Sequence, residues 1–383
     1  MVICFDANTE AKRSLDTLLA TGQFKDTSEV ISMALVNYEV LSRSVSRGGP
    51  TIMPETAPVT NQQPLAAASE VNQPRSPKPA AMVPQIPELF FINSSNADGV
   101  KLASVASMSE GVPSNLPPAR WLFGQYNKYL PVKASCRALL NLCRQKPGGV
   151  GLAEAVASIS QAAWELGDYL FALDQQAGRA REEAFAAAFP VSATNGAGSR
   201  IRFANQFVGD LRQPKQAEGQ PKETKFIGLP AALKFMQCSE GKNPILELTT
   251  AGAEFALLQN PIFDGTQEPA SRKFSDDEIE FLLAHIRCCV PEELSAYISV
   301  IDAITNGANT PDQVDKFLCE RFQLEVVASA HTENEITKTF LTTQRTGAIS
   351  RLADLGLLTR AKEGLRVTYH ASQSATTFRS QIN

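Results

Sequence analysis

Only three histidines occur in 383 residues, and none of His285, His331 and His370 sits at metal-ligand spacing or beside the serine, cysteine or carboxylate partner of a catalytic motif. No glycine-rich phosphate loop is present. Together these gaps argue against an enzyme, with no catalytic residue, cofactor or metal site to name. The seven cysteines, Cys4, Cys136, Cys143, Cys238, Cys288, Cys289 and Cys319, are odd in number and contain no CxxC pair. They read as buried small apolar residues, not as a disulfide framework or zinc site. No apolar run reaches the roughly 20 residues of a membrane span, and the start lacks a charged-then-apolar leader. The expectation is a cytoplasmic protein without membrane contact.

What is present suggests several domains, mainly α with short β. Residues 1–43 read as a strand and two amphipathic helices. Ile3 and Phe5 share one strand face; Leu15, Leu18 and Leu19 stripe the first helix; Asp26 to Glu29 offers a capping box before Val30, Ile31, Leu35 and Tyr38. Elements this short cannot bury a core alone, so an intertwined homodimer or higher oligomer is expected. From 44 to 120 the composition changes, and 12 of the 23 prolines fall there, which reads as a flexible linker. Within it the stretch 88–93, ELFFIN, is too apolar for a linker. It either docks a protein partner or, as favoured here, packs back on the C-terminal body.

The segment 1–43 resembles the ribbon-helix-helix family of Arc/MetJ/CopG-like repressors and antitoxins, through LDTLL and TSEVISMAL, over about a tenth of the chain. The resemblance implies that Val2, Cys4 and Asp6 face the major groove and that Thr27 and Ser28 hold a phosphate at the second helix start. The sequence departs from the family in lacking the usual ribbon donors, since an aspartate can at best accept from a cytosine amino group. Residues 1–43 also carry four basic against six acidic side chains. Dimerisation alone and DNA contact both remain open for this module.

In 121–268, the residues Leu152, Val156, Ile159, Ala163, Leu166, Leu170 and Leu173 form one helical seam, expected to serve an intramolecular bundle first and a dimer interface second. Asp276, Asp277, Glu278 and Glu280 resemble a metal cluster, but a capped helix start after Ser275 explains them better. In 269–383 a helix is predicted over 291–305, a second from Pro311 toward Phe322, a third in TTQRTGAISRLADLG, and then a hairpin turning around 362–364. That order, with ISRLADLGLLTR…GLRVTY, resembles a winged helix, and the family implies a third helix in the major groove and a wing on the flanking backbone.

With Ile349, Leu352 and Leu355 inward, helical geometry places Thr343, Thr346, Gly347 and Ser350 outward and Arg351 on their flank; Arg360, Lys362 and Arg366 charge the wing. Residues 338–370 hold six basic and two acidic side chains, and 270–335 hold five and thirteen. This polarity suits an oriented DNA binder. An upstream copy offset by 119 residues, aligning Gly228, Leu233 and Leu248 with Gly347, Leu352 and Val367, would make the body a tandem winged-helix pair. The function expected is a dimeric, sequence-selective binder of double-stranded DNA, nucleoid-associated, regulating transcription of its own, a mobile-element or a defence locus. The alternatives are a structural, replication or partition factor, and a non-enzymatic adaptor built from the same modules.

Overall fold

The computed structural model describes residues 85–92, 97–104, 115–180, 183–194, 196–212, 224–265, 272–330 and 335–382, all within the unit Pro79–Asn383. The readings made at 1–43, including Cys4, Asp6, Thr27 and Ser28, lie outside the described residues. What is described is mainly helical, 54% helix against 14% strand in small sheets. No described helix is long and apolar enough to cross a membrane.

The first half runs α1 (Leu130–Gln145), β1 (Val150–Gly151), α2 (Leu152–Gln176) and α3 (Gly196–Phe203), the last continuing as a π-helical stretch over Ala204–Val208. Next come a hairpin of β2 (Asp210–Arg212) and β3 (Lys225–Ile227), the one-turn α4 (Leu229–Ala232), a hairpin of β4 (Met236–Cys238) and β5 (Ile245–Leu248), and α5 (Thr250–Leu257). Pro131 fits the first turn of α1, where no amide partner is needed. The α2 seam faces inward: Leu152, Ile159, Ala163, Leu166 and Leu170 are buried in the common core, with Val156 and Leu173 packed at its edge. Phe90 is also fully buried, stacked on Phe263, while Asn141 on α1 donates to the carbonyls of Leu89 and Phe91. The described part of the apolar stretch at 88–93 thus packs back on the body.

The second half runs α6 (Asp276–Cys289), α7 (Pro291–Thr305), α8 (Pro311–Phe322), β6 (Glu325–Val327), β7 (Glu335–Thr337), α9 (Lys338–Asp354), a hairpin of β8 (Leu358–Glu363) and β9 (Arg366–Ala371), and α10 (Gln373–Ser380). Ser275 and Glu278 cap α6 reciprocally, which accounts for the acidic start of that helix. Thr310 and Gln313 do the same for α8.

The halves repeat one plan, most clearly at the end of the third helix. Lys234 (φ 59) and Gly356 (φ 69) both turn left-handed. The next amides reach back alike, Phe235 to the Pro230 carbonyl and Leu357 to the Leu352 carbonyl. Thr249 and Ser372 then cap α5 and α10 directly after the hairpins, and their own amides donate to Phe235 and Leu357. In the first half Val150 pairs with Leu246; in the second the Tyr369 amide donates to the Asn309 carbonyl (2.8 Å).

These matches align Leu233 with Leu355, not with Leu352, so the repeat is three residues out of step with the 119-residue offset read from the sequence. An insertion explains the slip. The β2–β3 hairpin leaves the chain at Gly209 and returns at Gly228, and those two glycines meet. Without it, α3, its π-helical continuation and α4 supply 17 residues, the length of α9. The helix expected before the first hairpin is therefore reduced to one turn and its remainder lies upstream.

Buried charge ties the halves together. Lys133 on α1 and Glu278 on α6 are both fully buried and 2.8 Å apart; burial pulls the Lys133 ammonium down to about 8, against the raising effect of Glu278. Asp354 at the end of α9 accepts from Lys128 and Lys273 at 3.0 Å each. His285 stacks on Phe281, packs tilted against Phe235 and bonds the Leu233 carbonyl through Nε2 (2.7 Å).

Burial depresses the His285 pKa below the ordinary 6.5, against the raising effect of the bond to Leu233 and with the charge of Lys234 adding to the fall. As pH falls below that value the unfolded chain takes up this proton before the folded one, so stability present above it is lost. His285→Gln is expected to flatten that acid limb in urea midpoints measured against pH. An unchanged limb would mean that this ring does not carry it.

Candidate nucleic-acid interface

Helix α9 buries two sides, not one. Its core side carries Leu341, Arg345, Ala348, Ile349 and Leu352, with Arg345 paired to Asp315 (2.7 Å) and donating to the Tyr369 hydroxyl (3.2 Å). The second side is crossed by the segment Leu116–Tyr129. Gln344 donates to the Pro118 carbonyl (2.8 Å) and accepts from the Gly124 amide (2.5 Å). Gly124 and Gly347 bring the two backbones into contact, since a Cβ on Gly124 would overlap the Thr343 carbonyl and one on Gly347 would overlap Gly124.

Two residues placed on the DNA side by helical geometry are corrected by this strap. Gly347 is buried beneath Gly124. Arg351 is fully buried, not flanking the outer face: Nε and Nη2 reach Glu293 on α7 at 2.5 and 2.7 Å, and Nη1 donates to the Tyr126 carbonyl. Around that pair the Tyr129 hydroxyl donates to Glu293 (3.1 Å) and lies 2.6 Å from the Tyr297 hydroxyl. Burial pushes both phenols well above their ordinary 10. The pair fixes α9 to α7 and to the strap. Periodicity cannot reveal it, because the covering segment lies more than two hundred residues upstream.

The uncovered arc of α9 is narrow and lined by hydroxyls, with Lys338 its exposed charge at the helix start. Thr339 and Thr346 are exposed, and Thr342, Thr343 and Ser350 are half-buried along the same arc. The Thr343 hydroxyl donates to the Thr339 carbonyl (2.8 Å). Short hydroxyl side chains permit close approach of a phosphate or base edge but carry little base code.

Positive charge comes from the hairpin. Every residue from Thr359 to Arg366 is exposed, so the ribbon stands clear of the body. Its register places Arg360 opposite Tyr369 and Lys362 opposite Val367, while Arg366 opposes Glu363. Because side chains alternate along a strand, Arg360 and Lys362 occupy one face and Arg366 the other. Of the six basic residues in 338–370, Arg345 and Arg351 are internal and the exposed ones are Lys338, Arg360, Lys362 and Arg366. The polarity read from the sequence is thus concentrated on the hairpin and the start of α9.

No protein-family model, curated protein or solved structure matches the chain.

Proposed function

We propose that this chain is a sequence-selective double-stranded DNA-binding protein whose body acts as a tandem winged-helix unit, with α9 in the major groove and the β8–β9 hairpin as its wing. The observation that carries the reading is the sequence of surfaces along the second half: a bare hydroxyl arc on α9 runs directly into a free-standing hairpin bearing Arg360, Lys362 and Arg366. A groove-seated helix needs small side chains, and an adjoining basic ribbon supplies phosphate contacts. Thr339, Thr342, Thr346 and Ser350 offer few base-specific pairings, so selectivity rests substantially on duplex shape.

The repeated plan supports the tandem assignment, and buried ion pairs hold the two units in a fixed relation suited to a fixed site geometry. Residues 1–43 serve, in this proposal, as a ribbon-helix-helix dimeriser, and regulation of transcription is the use that fits a dimeric binder of this kind. The test is enrichment from a random duplex pool by the full chain. Enrichment of one inverted-repeat site is expected, and recovery of an unenriched pool would overturn the reading.

A further inference from the structure

The tip of the hairpin carries Leu365, which is 101% exposed, about twice the exposure of the next large apolar side chain among the described residues, Ile201 at 51%. The turn does not require it. Gly364 (φ +61) takes the left-handed position of the two-residue loop between Glu363 and Arg366, and Leu365 is not left-handed. This turn places its steric demand on the first central residue and none on the second, where a polar side chain would serve as well. Leu365 touches no core, and its removal costs the fold nothing that the structure displays.

We propose that Leu365 is an apolar wedge that enters the minor groove of duplex DNA and unstacks one base step, bending the duplex against the body. This rests on the proposed DNA reading and adds to it a named contact and a deformation. From Leu358, where the ribbon leaves the core, to Leu365 the strand reaches ~20 Å. That length clears the phosphate backbone beside a major groove ~12 Å wide and reaches the adjacent minor groove.

The cations are arranged for the same entry. Arg360 and Lys362 on one ribbon face meet one phosphate wall and Arg366, beside Glu363 on the other face, meets the second, while the leucine points to the floor. Apolar wedges of this kind are repaid for unstacking by the extra surface that a bent duplex brings into contact. A lone leucine is a poor membrane anchor, because even a single fatty chain binds bilayers only marginally.

The experiment uses the full chain and a duplex it enriches from a random pool, with donor and acceptor dyes at the ends. The wild type is expected to raise energy transfer on binding. Leu365→Ala should abolish that rise and weaken binding about tenfold, the loss expected for one buried leucine, while the salt dependence stays unchanged because no cation is removed. Leu365→Phe should retain the bend. Leu365→Ala with wild-type transfer and affinity would overturn the wedge.

If Arg360, Lys362 and Arg366 changed together to Ala weaken binding while Leu365→Ala still bends the duplex, the wedge alone fails. If neither variant changes binding, the wing itself is not at the interface. Retention of the wild type, but not Leu365→Ala, on neutral phosphatidylcholine vesicles would assign the tip to a membrane and contradict the proposal.

Discussion

Arg351→Ala is expected to destabilise the body by about 3–5 kcal/mol, because it leaves the Glu293 carboxylate buried without its counter-charge. Both side chains are fully buried and joined by two bonds. The carboxylate would keep only the Tyr129 hydroxyl, and neither phenol can supply positive charge. Replacing both partners, Arg351→Met with Glu293→Leu, should recover much of the loss, since apolar packing substitutes for a buried pair more readily than for half of one. Guanidinium unfolding midpoints of the two variants decide the matter. A wild-type midpoint for Arg351→Ala would return this side chain to the surface, where helical periodicity alone places it.

Gly347→Ala reverses the usual sign of a glycine substitution. In an open helix the change would gain about 1 kcal/mol of helix propensity. Here the added methyl meets the Gly124 backbone, which has no side chain to rotate away. Overpacking of this kind costs about 1–3 kcal/mol, so a net loss is expected, with the strap at residues 116–129 loosened from α9. Limited proteolysis should find that segment cut sooner in the variant, and its unfolding midpoint should fall. A gain in stability would show that the strap is not held where Gly124 and Gln344 place it.

Local signals made much of the second half legible. Pro291 and Pro311 open their helices, Gly307 and Gly356 close theirs, and Ser275 and Thr310 form capping boxes with residues three positions on. The hairpin turns at Gly364 and Leu365, the first of them the last residue of the range 362–364, while Lys362 and Glu363 belong to the strand. Long-range coverage was not legible. One inward stripe on α9 was clear from spacing, but the second buried side exists only because a segment from before α1 crosses the helix. For the same reason spacing alone places Gly347 and Arg351 at the surface, and counts Arg351 in a positive face that it does not join.

The repeat was visible in outline through the hairpin and its closing helix. Its register was displaced because an inserted hairpin separates α3 from α4 in the first half, and glycines at both ends of that insertion give no cue that they meet. The two-residue strand β1 was too short to carry any alternation. In the candidate interface, Thr346, Arg360, Lys362 and Arg366 lie exposed as periodicity and charge placed them, whereas Thr343 and Ser350 are half-buried.

The most direct test of DNA binding through the second half is the salt dependence of duplex affinity for the full chain and for its Arg360, Lys362 and Arg366 to Ala variant. Each phosphate contact removed should lower the slope of log affinity against log salt by about 0.9, so loss of all three should cut it by nearly 3 and weaken binding across all sequences. Identical slopes and affinities would contradict the assignment of the hairpin as a DNA-binding wing.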